Sequence, residues 1–308
     1  VVNYIMFSMT RKIIILITTL TALRLEAALF KDNDTVVLLG NTVIERAQHY
    51  GYFETAITLA SGKKNLKFRN LAWSGDSVFG HARSYFGPPK EGFRRLTVDI
   101  GDIKPNVVIV CYGAVAAFEG EKGLAEFIAG YEKLLDMISE TVKPRVIVLV
   151  SPPPAESMGS PMPDMTEHNY RLASYTKAIA ELAKKRKISY ADFNAEIGNG
   201  VKGMTDNGLH FHENGYRVVA PKFTKSLGLT MPNESQLMSE NGTKLRETVI
   251  AKNKLFFHQW RPANETYLRL FRKHEQGNNV KELPMFDPLI EEREKEIEAL
   301  RLKLTTDK

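Results

Sequence analysis

The chain has 308 residues, of which 43% are hydrophobic and 25% charged, with a formal net charge of +6. That is enough apolar material for a large core and excludes a disordered chain. The modest charge is spread along the chain, without the clustered Lys and Arg of a nucleic-acid binder. The single cysteine, Cys111, excludes an internal disulfide and sits in the apolar run VVIVCYG, where it reads as a small core residue.

Residues 9–27, MTRKIIILITTLTALRLEA, have a basic start, an apolar run from Ile13 to Leu23 and a small-residue exit, the form of a secretory signal peptide with Met9 as its start. The run is shorter than the roughly 20 apolar residues of a membrane span. The expectation is an exported chain, periplasmic or extracellular, with no membrane contact after cleavage. Leu25 and Glu26 make a poor cleavage site, so retention as an anchor stays open. Loss of Arg11, Lys12, Arg24 and Glu26 with the leader takes the net charge from +6 to +4.

From residue 34 short apolar runs alternate with longer amphipathic ones, the pattern of parallel strands joined by crossover helices. Strands are expected at 35–39, 66–73, 106–112, 145–150 and 188–193, and helices at 43–62, 92–103, 123–140, 167–186 and 213–228. Runs three and four are apolar almost throughout, which suits a sheet covered on both faces. The organisation read from this is a leader (1–27), an α/β domain (28–229) and a helical C-terminal extension (230–308). In the extension, 244–273 carries Phe256, Phe257, Trp260, Tyr267 and Phe271 and needs burial, against the domain, a protein partner or a second copy. The end, EEREKEIEALRLKL (291–304), has opposite charges at helical spacing and reads as a solvated helix.

In doubly wound sheets function gathers at the carboxyl ends of the strands. Those ends read GNT (40–42), SGDSV (74–78), YGAVAAFEG (112–120), SPPPAESMGSPMPDM (151–165) and DNGLH (206–210). They supply a hydroxyl, Thr42; a base, His210, with Asp206 or Asn207 to orient its ring; and a backbone donor in a tight turn, Gly75. Those are the requirements of ester hydrolysis by a nucleophilic hydroxyl. Asn41 is expected to bond backbone near the site, and Ser74 and Ser77 are further hydroxyls on the rim. His212 could pair with Asp206 on a metal, but further ligands at suitable spacing are lacking, so no metal is expected. Trp73 and Tyr112 read as core residues beside the cleft.

Taken in order, Gly-Asn-Thr, RNLAWSGDSV, YGAV and DNGLHFHENGYRVVA resemble the four blocks of the SGNH/GDSL hydrolases, above all a secreted bacterial branch with Gly-Asn-Thr in its first block and a C-terminal extension. The resemblance covers 34–229. It implies a flavodoxin-like three-layer α/β/α fold with a five-stranded parallel sheet, and hydrolysis of small acyl or carbohydrate esters without metal or cofactor. By position the family's Ser falls on Thr42, its oxyanion Gly on Gly75, its third-block Asn on Val115 after Gly113, and its Asp and His on Asn207 and His210. Thr keeps a hydroxyl but stiffens χ1. Asn in place of Asp withholds the negative charge, and Val115 cannot donate to an oxyanion. Two readings follow: a slow ester hydrolase, or an inactive binding or scaffold protein on the same fold.

Overall fold

The computed structural model describes residues 29–198 and 202–306, so the leader lies outside the described residues. Five strands, β1 (Thr35–Gly40), β2 (Lys67–Asn70), β3 (Val107–Cys111), β4 (Val146–Val150) and β5 (Ser189–Ala191), form one parallel sheet in the order β2-β1-β3-β4-β5. Alternation along each strand divides the core in two. On β1, Val36 and Leu38 face one cluster while Val37 and Leu39 face the other. Helices on both faces complete the expected three layers. The first crossover runs from β1 to β2 on one side, and the next runs back from β2 past β1 to β3 on the other, so a crevice opens between the carboxyl ends of β1 and β3.

The helix expected at 43–62 is two helices, α1 (Thr42–Tyr50) and α2 (Tyr52–Ala60). Gly51 separates them at φ 72°, in the left-handed region that glycine enters without penalty. A Cβ there would also press on Ile250 Cγ1 at 3.0 Å and Arg246 Cγ at 3.1 Å. Next come α3 (Pro89–Ile103), α4 (Glu121–Val142) and α5 (Thr166–Arg186), each starting a little before its expected residue. The fifth strand is shorter than expected, because Asp192 Oδ1 accepts from Ala195 N at 3.0 Å and starts a short helix, α6 (Phe193–Ile197). Helix α7 (Glu213–Ser226) closes the α/β layers.

The C-terminal helices α8 (Glu240–Trp260) and α9 (Phe286–Thr306) pack on each other and on the outer edge of the sheet. Lys252 Nζ donates to Phe68 O on β2 at 3.1 Å and pairs with Glu54 at 2.7 Å; Arg69 pairs with Glu294 at 2.5 Å. An exposed edge strand invites wrong pairing, and this covering removes it. Phe256 is buried with the sheet core, while Trp260 meets Trp73 edge-on at 5.8 Å. Phe271 stays 67% exposed. The charged end is not a free solvated helix: Ile290, Ile297, Leu300 and Leu304 on α9 are all buried. Among the described residues, no helix is long and apolar enough to cross a membrane, and no group of three or more His, Cys, Asp or Glu is placed to hold a metal ion.

Candidate active site

The crevice at the switch between β1 and β3 has two compartments. An apolar pocket of about 50 Å³ is lined by Val43, Val115, Phe118, Pro153, Pro154 and Leu209, with Thr42, His168 and His210 among its polar members. A water needs about 10–15 Å³ on this scale, so the pocket has room for about three or four heavy atoms, an acetyl or propionyl group. An open groove of about 770 Å³ adjoins it, lined by Glu45, Arg46, His49, Tyr50, Ser74 and Gly75. Thr42, Val115 and His210 line both compartments and so stand at their boundary.

Thr42 is the first residue of α1, where backbone N–H groups lack partners inside the helix and favour negative charge. The N-cap before it, Asn41, is 3% exposed; its carbonyl accepts from Ile44 N and Glu45 N at 3.1 and 3.0 Å, and its side chain makes no capping bond. Gly75 N donates to Thr42 Oγ1 at 3.2 Å, so this donor rests on the hydroxyl that an ester carbonyl would approach. Gly75 has φ 74° and open space around a would-be Cβ; its backbone conformation, not crowding, calls for glycine. Ser74 Oγ donates to Glu45 Oε2 at 2.7 Å, and Ser77 Oγ accepts from Phe79 N at 3.3 Å, so both hydroxyls have local partners.

His210 is held from its own loop. Asn207 Oδ1 accepts from Leu209 N at 3.1 Å and from His210 N at 3.0 Å, which fixes the oxygen end of the amide. The amide nitrogen is therefore the atom 3.2 Å from His210 Nδ1. An amide nitrogen only donates, so Nδ1 accepts and the ring's proton sits on Nε2. Of the two residues that sequence reading left open as orienters, the geometry puts Asn207 on the ring. Asp206 instead pairs with Arg46 at 3.1 Å across the rim of the groove.

Burial and the nearby Arg46 charge hold the His210 imidazole below its ordinary pKa, with Asp206 opposing weakly. The acid limb of any His210-dependent activity therefore lies below the ordinary value of about 6.5. Arg46→Gln removes the cation and frees the Asp206 carboxylate, so the limb is expected to move to higher pH in a profile of kcat/KM.

Gly113 and Val115 part company. Gly113, at φ 126°, lies behind the pocket, where a Cβ would press on Pro152 Cγ and Ile179 Cδ1 at 3.2 and 3.3 Å; it lines neither compartment. Val115 is 45% exposed at the boundary and brings no donor. Trp73 and Tyr112 are core residues, 8% and 1% exposed. Tyr112 donates to Asp76 at 3.0 Å and Arg261 lies 3.4 Å from the Trp73 ring centroid.

Sequence reading missed two residues. His168, in the first turn of α5, is 7% exposed in the pocket wall and stacks on Phe118 at 4.0 Å between centroids. Burial, aided by Arg171, lowers its pKa. Glu156, in the loop after β4, accepts from Met204 N, Thr205 N and Thr205 Oγ1 at 3.2, 3.0 and 2.6 Å, and also from Gly203 N. It ties down the segment that leads into Asn207 and His210. Burial opposes its charge, but these hydrogen bonds outweigh it and lower its pKa. Its contribution to stability is thus complete above the unfolded carboxylate value of about 4.3 and is lost as pH falls through the lower folded value. Glu156→Gln should cost about 1–3 kcal/mol near neutral pH, with a smaller difference from the parent in strong acid, as read by denaturant unfolding.

The fold and the crevice define a doubly wound three-layer α/β protein with a hydroxyl and an imidazole at its switch point. Residues 47–218 match the model of the GDSL-like lipase/acylhydrolase family, more than half of the chain, and the chain belongs to that family. Among solved structures it is similar to BT4096, a gut microbial diltiazem-metabolizing enzyme, at 12% identity and TM-score 0.61, over 90% of this chain and 95% of that one. A putative GDSL-like lipase from Parabacteroides merdae is 16% identical with TM-score 0.52, over 65% of this chain and 98% of that one. A mutant of Axe2, an acetyl-xylooligosaccharide esterase from Geobacillus stearothermophilus, is 14% identical with TM-score 0.51, over 66% of this chain and 97% of that one. These likenesses concern the fold. No curated protein sequence matches the chain.

Proposed function

We propose that the chain is a slow hydrolase of short acyl esters of polar alcohols, with Thr42 as nucleophile. The acyl group sits in the apolar pocket and the alcohol in the charged groove, so the ester bond lies at their boundary beside Thr42 and His210. A bond from Thr42 Oγ1 to the acyl carbon would form as the hydroxyl proton passes to His210 Nε2. That proton would next go to the leaving alcohol, and water would then release the acid by the same route. The Thr42 N–H, at the start of α1, and the Gly75 N–H are the donors toward the oxyanion.

The observation that carries the word slow is the Asn207 amide on His210 Nδ1. It leaves Nε2 protonated, a donor where the reaction needs an acceptor, so turnover waits on a minority tautomer. Val115 favours a second reading, ester binding without turnover, because it supplies no oxyanion donor. Export rests on the 9–27 pattern alone, and docking of a partner or second copy through 244–273 rests on the exposed Phe271.

The test is reaction of the purified chain with p-nitrophenyl acetate and with a fluorophosphonate. Slow release of p-nitrophenol, lost in Thr42→Ala, and phosphonylation mapped to Thr42 are expected. Label on Ser74 or Ser77, or no turnover, would reject Thr42 as nucleophile.

A further inference from the structure

Val115 stands where the crevice needs a side-chain donor and has none to offer. Three residues later in the same turn, Phe118 stacks on the one imidazole in the pocket that sequence reading did not find, His168. His168 as a residue is 7% exposed, and its Nδ1 is closed off from solvent with no hydrogen-bond partner. A neutral imidazole has one N–H and one lone pair, and an N–H left unpaired in the interior costs more than an idle lone pair. The proton therefore belongs on Nε2, the nitrogen left available to a ligand. His168 shares its pocket with Thr42, Val115 and His210.

We propose that His168 Nε2–H donates to the acyl carbonyl oxygen of the bound ester, supplying from α5 the hydrogen bond that Val115 cannot supply from the loop after β3. This rests on the ester-binding reading above and deepens it. It assigns a substrate-contacting role to a helix that otherwise only covers the sheet. The stack on Phe118 sets the tilt of the ring, and Pro153, Pro154 and Ala155 line the pocket beside it with apolar surface, where a single donor counts for more than in bulk water. The donor reads an oxygen acceptor, so the pocket takes carbonyl-bearing groups and not hydrocarbon of the same size.

The test separates binding from turnover. The full chain, labelled with ¹⁵N, is titrated with N-methylacetamide, a carbonyl compound that is not turned over, and the same protein is assayed on p-nitrophenyl acetate. In the parent, N-methylacetamide should shift the His168 Nε2 resonance. His168→Phe, which keeps the stack on Phe118, should weaken N-methylacetamide binding about tenfold and lower kcat/KM about 10²-fold, mainly through kcat. His168→Gln, which restores a donor without the ring, should recover part of both. If His168 only packs the pocket, Phe keeps binding and turnover while Gln loses them, and the proposal fails. It also fails if N-methylacetamide leaves the His168 resonance unmoved. A parent without turnover that still binds N-methylacetamide through His168 would reject Thr42 as nucleophile and leave the carbonyl contact standing.

Discussion

Asn207→Asp should raise kcat on p-nitrophenyl acetate by about 10²- to 10⁴-fold. The upper figure is the known cost of the reverse exchange in a different hydrolase, a serine protease. Asp has the same shape as Asn, so one carboxylate oxygen can keep accepting from Leu209 N and His210 N as Asn207 Oδ1 does. The other oxygen then faces Nδ1 in place of an amide nitrogen. A carboxylate accepts only, so the ring's proton moves to Nδ1 and the Nε2 lone pair turns to Thr42. The new charge also stabilises the imidazolium formed as Thr42 attacks, which Asn cannot do. The pKa of His210 should rise in the variant, carrying the acid limb of the profile to higher pH. An unchanged rate would mean that the tautomer does not limit turnover.

The second large effect concerns stability. Arg83 and Asp76 form an ion pair at 2.7 Å with both side chains fully buried, just after the Gly75 turn. Arg83 also donates to Leu71 O at 2.7 Å, and Tyr112 donates to Asp76 at 3.0 Å. Arg83→Met keeps most of the volume but leaves the Asp76 carboxylate buried with only the Tyr112 hydroxyl and a long bond from Ala82 N, at 3.4 Å, to face its charge. Removing one partner of such a pair costs about 3–5 kcal/mol. For a chain of this size that is a fall in Tm of about 10 °C. Adding Asp76→Asn removes the stranded charge and should recover much of the loss, since a buried pair as a whole contributes little net stability. Loss of Gly75 positioning should accompany the single variant, seen as a weaker response to the fluorophosphonate. A single variant as stable as the parent would contradict the assignment of this pair as the anchor of the turn.

The parallel sheet and the rim were legible because they follow from local signals. Apolar runs of strand length separated by helical periodicity force parallel crossovers, and crossovers bring GNT, SGDSV, YGAV and DNGLH to one edge. Details that depend on three-dimensional closure were less so. Gly51 was visible inside its pattern, yet its left-handed backbone at φ 72°, which ends one helix and starts the next, shows only in the folded chain. The buried face of α9 carried its own signal, Ile290, Ile297 and Leu304 seven residues apart, hidden among alternating charges.

At the crevice, Thr42, Gly75, Asn207 and His210 were all within reach of sequence reading because each sits in one of the four strand-end blocks. Whether Asp206 or Asn207 meets the ring was not. It is decided by a tight turn in which Asn207 Oδ1 takes two backbone N–H groups while Arg46 draws Asp206 outward. His168 and Glu156 had no local mark. One is an ordinary helix-start residue and the other a loop acid, and only the folded chain brings them to the pocket wall and the His210 segment.

The location of one proton underlies this account. Long-range ¹⁵N–¹H correlation spectra of the imidazole rings in the parent chain above the His210 pKa, assigned through His210→Gln, measure it directly. The proton is expected on Nε2, with Nδ1 unprotonated, and Asn207→Asp should exchange the two. A parent spectrum with the proton already on Nδ1 would contradict the account.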